Sequence, residues 1–280
     1  MKVKITADST CDLSPELVER YGITITPLLV TVGGRDYQDG VEIDPETMLG
    51  ITEASGGIAA TAAVNVVQYE EAFRPLLEEY DAIVHFTISS AMSACYQNAC
   101  LAAEELGNVY VVDSENLSTG IGHLALDACQ LAEQGLSGAE IKAEMDERQK
   151  KLDVSFVLTT LEYLRRGGRC TTLAAMGANL LKLHPCINVV NGTMGVGKKY
   201  RGSMQQCLTA YVRDKLAAPE TVDPRRIFIT DSGFDEQTRD LVEKTVRECV
   251  PFAEVYRTRA GCTVSCHCGP GCLGILFYRK

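Results

Sequence analysis

Two α/β domains in one chain, the first with a parallel sheet and the second with a mixed one, are what the sequence predicts from three observations. Short β-branched apolar runs, each about four to eight residues long, alternate with amphipathic stretches through the first half, as in a buried parallel sheet with helical crossovers. Helix punctuation recurs between those runs, in Ser14-Pro15 with Gly22 and again in Asp44-Pro45. Further on, extended segments follow one another directly, and Asn191-Gly192 marks a tight turn between two of them, so antiparallel pairs enter. The boundary is placed to give domains 1–152 and 153–280.

Taken in order, Lys2 to Ala7 reads as a strand, followed by Asp8-Ser9-Thr10 and a helix in SPELVERYG, with Ser14 as cap, Pro15 in its first turn and Gly22 at its end. ITITPLLVTV reads as one strand and AATAAV as a short one, with a helix in DPETMLGITEA between them, opened by Asp44 with Glu46 nearby. VVQYEEAFRPLLEEY is helical, AIVHFTIS a buried strand, AMSACYQNACLAAEEL a helix and VYVVDS a strand. A helical pair, GHLALDACQLAEQGL and GAEIKAEMDERQKKLD, closes the first domain. The second contains the strand VSFVLTT, a Gly-Gly-Arg turn, a helix in TLAAMGANLLKL, a hairpin in PCINVVNGTMGVGKKY and a further helix. RRIFITDSG, another helix, AEVYRT and GCLGILFY complete it.

Composition narrows the function. A chain of 280 residues with 46% apolar and 23% charged residues is an ordinary globular one, and no stretch reaches the ~18–20 apolar residues of a membrane helix. The start, MKVKITADST, runs into a strand without the apolar segment of a secretory leader, so a cytoplasmic location is expected. A net charge of −10 argues against nucleic acid, which asks for a basic face. A local basic patch of Arg165, Arg166, Arg169, Lys198, Lys199 and Arg201 reads either as a solvated rim or as a contact for an acidic partner. The 12 cysteines are scattered through helix-like and strand-like segments, as small buried hydrophobes are.

Ligands of parallel α/β sheets collect beyond the carboxyl ends of the strands. There this chain carries Asp8-Ser9-Thr10, Thr61, Ser89, Ser90, Ser93, Asp113 and Ser114, residues that either cap helices or together form a polar mouth. Ser93 stands near a helix start, where free amides favour an anion and a hydroxyl can donate to a carboxylate or phosphate; alternatively Ser89 or Ser90 caps the helix and Ser93 lies in its first turn. The Gly-x-Ser-x-Gly elbow is absent, as are the phosphate-binding glycine signatures. Near the end, VSCHCGPGCLGILFY lacks zinc-type cysteine spacing; as a strand it would put Cys266 and Cys268 on one face and His267 on the other, so no metal site is expected.

ITADSTCDLSPE, TPLLVTVGGRDYQDG, the Thr61 region, ISSAMSACYQNA, VVDSENLSTGIG, TLEYLRRGGRC and HCGPGCLGI occur in the order of the DegV family, which the chain resembles along essentially its whole length. The resemblance implies the two-domain DegV-like fold and no catalytic role or cofactor. It implies a long-chain fatty acid in a tunnel between the domains, with the carboxylate bound by Thr61 and Ser93, His267 close by, and Arg169 and Arg201 at the mouth. It also implies a separate ATP-binding fatty-acid kinase subunit as partner, which phosphorylates the presented carboxylate for phospholipid synthesis, and transient membrane contact. Two stretches depart from the family's usual pattern: Ala62-Ala63-Val64-Asn65 stands for Ser-Gln-Pro-Ser, and Ala94-Cys95 for Gly-Thr beside Ser93. The competing expectation is an enzyme or kinase subunit acting on a small keto or phosphorylated substrate with His267 as the catalytic group, since related folds include a dihydroxyacetone kinase subunit that holds substrate on a histidine.

Overall fold

The computed structural model describes residues 1–170 and 183–280. They fall into two units, Met1–Lys150 with Gly261–Val264, and Lys151–Ala260 with Ser265–Lys280. Where the sequence assigns 153–280 to one domain, the tetrapeptide Gly261–Val264 instead belongs to the first unit, because carboxylates of that unit hold its amides.

The first unit opens with β1 (Val3–Asp8), α1 (Pro15–Tyr21), β2 (Thr24–Thr26), β3 (Leu29–Val32), β4 (Arg35–Gln38) and α2 (Pro45–Ser55). It continues with β5 (Ala60–Ala62), α3 (Val66–Leu77), β6 (Ala82–Thr87), α4 (Cys95–Leu106), β7 (Val109–Asp113), α5 (Thr119–Glu133) and α6 (Gly138–Arg148). A parallel sheet of order β2-β1-β6-β7 forms its centre. Every residue of β6 is buried, which is why AIVHFT reads as a continuous run without polar alternation. Local signals set the helix ends as expected: Ser14 accepts from Leu17 N at 3.4 Å, Gly22 ends α1 at φ 61°, and Asp44 accepts from Thr47 N at 2.9 Å.

ITITPLLVTV does not form one strand. Pro27 has no N–H for the ladder, and the chain divides there into β2, paired with β1, and β3, paired antiparallel with both β4 and β5. Gly33 and Gly34, at φ 59° and 76°, make the turn from β3 to β4. The sequence reading contains neither β4 nor this small antiparallel sheet.

The second unit holds β8 (Leu152–Leu158), α7 (Glu162–Gly167), β9 (Leu183–Val190), β10 (Thr193–Arg201), α8 (Met204–Lys215) and β11 (Val222–Asp231). It continues with α9 (Glu236–Cys249), β12 (Glu254–Arg259) and, after α10 (Cys262–Cys268), β13 (Cys272–Arg279). Its sheet runs β10-β9-β8-β13-β11-β12, with β11 and β12 parallel and the other neighbours antiparallel. Asn191 and Gly192, at φ 48° and 74°, form the tight turn between β9 and β10. The helix expected over 172–183 lies outside the described residues except for Leu183, which opens β9.

Leu208, Tyr211, Val212, Val242, Val246 and Phe277 pack without solvent exposure in the second core, where each large apolar side chain contributes ~1.5–3 kcal/mol. Tyr211 keeps its hydroxyl satisfied there: it donates to Ser155 O at 2.7 Å and accepts from Ile275 N at 3.0 Å, bridging β8 and β13. Among the described residues no helix is long and apolar enough to cross a membrane.

Candidate functional site

At the carboxyl end of β1 the chain buries an acid side chain. Asp8, 0% exposed, accepts from Tyr69 Oη at 2.7 Å and His85 Nε2 at 3.2 Å on Oδ1, and from Ile88 N at 3.2 Å on Oδ2. Thr6 Oγ1 lies 2.8 Å from His85 Nδ1, so an imidazole donating to Asp8 from Nε2 accepts from Thr6 at the other nitrogen. This fully satisfied group is a scaffold on which the neighbouring loops are built.

Ser93 precedes α4 and is half-buried. The N-cap position of α4 is Ala94, which offers no side chain for the role, and Ser93 Oγ instead accepts from Cys95 N at 3.3 Å. Neither Ser89 nor Ser90 caps this helix: Ser89 Oγ takes Ala91 N at 3.2 Å, and Ser90 N donates to Asp113 Oδ1 at 3.1 Å. The Ser93 hydroxyl donates to Cys95 Sγ at 3.2 Å. Burial, then the Asp8 charge, pushes the Cys95 thiol up to about 12, so it remains S–H. Thr61 is the half-buried centre of β5, opposite Val30 of β3. Just beyond it, Val64 O accepts from Asn98 Nδ2 of α4 at 2.8 Å, tying the segments that carry the two hydroxyls.

His267 lies in the last turn of α10, not on a strand. The face argument drawn from strand alternation therefore does not apply to Cys266, His267 and Cys268. CTVSCHC has no local helix signal; the cap comes from far away in sequence, where Asp39 accepts from Cys262 N at 2.8 Å and Thr263 N at 3.1 Å. Beside Asp39, Asp12 accepts from Gly261 N at 2.8 Å and Ser118 Oγ at 2.5 Å. Burial raises Asp12 to about 8, and nearby Asp39 adds to the rise against the hydrogen bonds of Ser118 and Gly261.

In the second unit His267 Nδ1 faces Gly167, where a Cβ would stand 2.4 Å away. Arg169 reaches back to donate to Gly167 O at 2.6 Å. Burial and then the Arg169 charge lower His267 to about 4, giving a neutral imidazole at neutral pH with a fixed cation beside it. The following Gly269-Pro270-Gly271 turn is pinned by Ser232 Oγ donating to Gly269 O at 2.6 Å and Thr159 Oγ1 to Pro270 O at 2.9 Å. Gly269 and Gly271, at φ 73° and 72°, sit where a Cβ would enter Tyr163 and Thr159. Arg201 is the exposed last residue of β10, opposite Leu183.

Among the expected site residues, the structure thus brings His267 and Arg169 together, and links the segments of Thr61 and Ser93 through Val64. Sequence reading does not reveal Tyr69, His85, Asp12, Asp39 or Gly167 as parts of these arrangements. The one available signal is the pair of acids flanking the first strand-end hydroxyls, Asp8 and Asp12.

A family model described as an uncharacterised protein of the DegV family matches residues 2–280. A Thermotoga maritima relative named fatty acid-binding protein is 31% identical over 285 residues, covering 98% of this chain and 96% of its own. A Thermus thermophilus structure, described as fatty acid binding of a DegV family protein, superposes with TM-score 0.91 at 30% identity and 100% coverage of both chains. The Streptococcus pneumoniae fatty acid kinase (Fak) B3 protein loaded with linoleic acid shares the fold, with TM-score 0.85 at 23% identity and 100% coverage of both chains. With its mixed α/β architecture and a family match over nearly every residue, the chain belongs to the DegV family.

Proposed function

We propose that this protein binds a long-chain fatty acid and presents its carboxylate to a separate ATP-binding kinase for acyl-phosphate formation. The observation that carries the reading is similarity over the whole chain, at 30% identity or above, to proteins named for fatty acid binding. The side chains suit the role. Ser93 and Thr61 are half-buried hydroxyls that can donate to a carboxylate, and a neutral His267 can donate one hydrogen bond. Burial of the tail would drive binding at about 0.8 kcal/mol per methylene, leaving the polar groups to set orientation. Enclosure of the tail in a tunnel and hand-over to a kinase rest on the family resemblance, and Arg201 and Arg169 are assigned to the mouth on the same ground. The expected transient membrane contact gains no support from the comparisons.

The competing reading makes His267 a nucleophile or base on a small keto or phosphorylated substrate. It asks for a basic imidazole, and burial beside Arg169 makes this one weakly basic.

Mass spectrometry of organic extracts from the purified protein, with titration of palmitate and oleate, tests the reading. An acyl chain should be found, Ser93→Ala and Thr61→Ala should each weaken binding several-fold, and Arg169→Ala or Arg201→Ala should spare binding while slowing phosphorylation by a kinase. No copurified acyl chain and no binding of added fatty acid would sink it; equal loss of binding in all four variants would sink the division of labour.

A further inference from the structure

The half-buried Ser93 directs its hydroxyl proton inward, onto a buried sulfur. Its hydroxyl donates to Cys95 Sγ at 3.2 Å, and the neighbouring Tyr69 donates to Asp8 Oδ1 at 2.7 Å. The thiol sulfur thus accepts from Ser93. Cys95 is 0% exposed, so water does not compete for its sulfur.

The Ser93 proton is therefore directed inward, while a carboxylate arriving at Ser93 needs it directed outward. The acceptor that must be given up is sulfur, which holds a hydroxyl proton weakly, whereas a carboxylate forms a charge-assisted bond. Resting on the carboxylate-binding reading above, we propose that Cys95 is a specificity-determining positioning residue: it orients the Ser93 hydroxyl yet releases it cheaply, so that carboxylate ligands lose less of their advantage over neutral lipids than an oxygen acceptor would cost them. An oxygen acceptor at position 95 would hold the Ser93 proton more strongly and tax only ligands that need it turned. A fatty alcohol can donate to the Ser93 oxygen as it stands.

The test compares dissociation constants of palmitate and of hexadecanol for delipidated wild type, Cys95→Ser and Cys95→Ala. Cys95→Ser should lower the preference for acid over alcohol by roughly fivefold, the worth of one neutral hydrogen bond, while Cys95→Ala, which removes the acceptor, should raise it. A cysteine that merely packs would shift both ligands alike, so an unchanged preference, or a rise in Cys95→Ser, overturns the proposal. Should Cys95→Ala fail to fold, the near-isosteric Cys95→Ser decides alone. If wild type binds palmitate but the preference does not move, only the role of Cys95 fails. If wild type binds neither ligand, the carboxylate-binding reading fails and this proposal with it.

Discussion

Asp12 and His267 respond to pH in opposite senses. Asp12 is raised from its ordinary 3.8 to about 8, so the folded chain binds a proton that the unfolded chain releases. Its contribution to stability is complete below about 3.8 and is lost as pH rises through about 8. His267 is lowered from 6.5 to about 4, so the unfolded chain takes the proton first. Its contribution is complete above 6.5 and is lost as pH falls toward 4. Urea midpoints of wild type, Asp12→Asn and His267→Gln, followed across this range, should separate them. Asp12→Asn is expected to remove the loss of stability as pH rises toward about 8, and His267→Gln the loss as pH falls from 6.5 toward about 4. An Asp12→Asn curve parallel to wild type would show that this acid is not held protonated by the fold. Such residues are hard to see in sequence, because Asp12 and Asp39 look like ordinary loop acids. What makes them unusual is burial against amides more than two hundred positions away.

The elements divide according to how local their causes are. Helices opened by Ser14, Asp44, Asn65 and Ser137 carry their own caps, and the β9–β10 hairpin carries its own turn, so these are readable from short stretches. The helix α10 is not: Thr, Val and Cys favour it weakly, and its amides are satisfied by Asp39 from another part of the chain. The same blindness hides the role of Gly167 at the end of α7, whose missing Cβ makes room for the His267 ring. Gly167→Ala should improve helix propensity by up to ~1 kcal/mol while pushing the imidazole aside. Palmitate affinity is therefore expected to fall as far as in His267→Ala, with α-helical content retained. Wild-type affinity in Gly167→Ala would mean that binding does not depend on where this ring sits.

For the chain as a whole, alternating patterns were enough to separate a parallel sheet from a later mixed one, because strand burial on both faces and hairpin chemistry leave different marks. They could not show that a proline splits one apolar run between two sheets, nor that four residues near the end complete the first unit. A fragment ending at Lys150 would lack the amides of Gly261, Cys262 and Thr263 that Asp12 and Asp39 bind in the intact protein. Leaving such an acid buried without its hydrogen-bond partners costs ~1–3 kcal/mol. Limited proteolysis should therefore cut the fragment around Asp12 and Asp39 faster than the full chain, and equal protection of the two would contradict this.

That dependence sets an order of events on the ribosome. Translation at roughly 5–20 residues per second delivers these last amides on the order of ten seconds after Lys150 has been joined. Until then the nascent first unit carries two acids with an empty berth between them, and its completion is timed by the synthesis of the second.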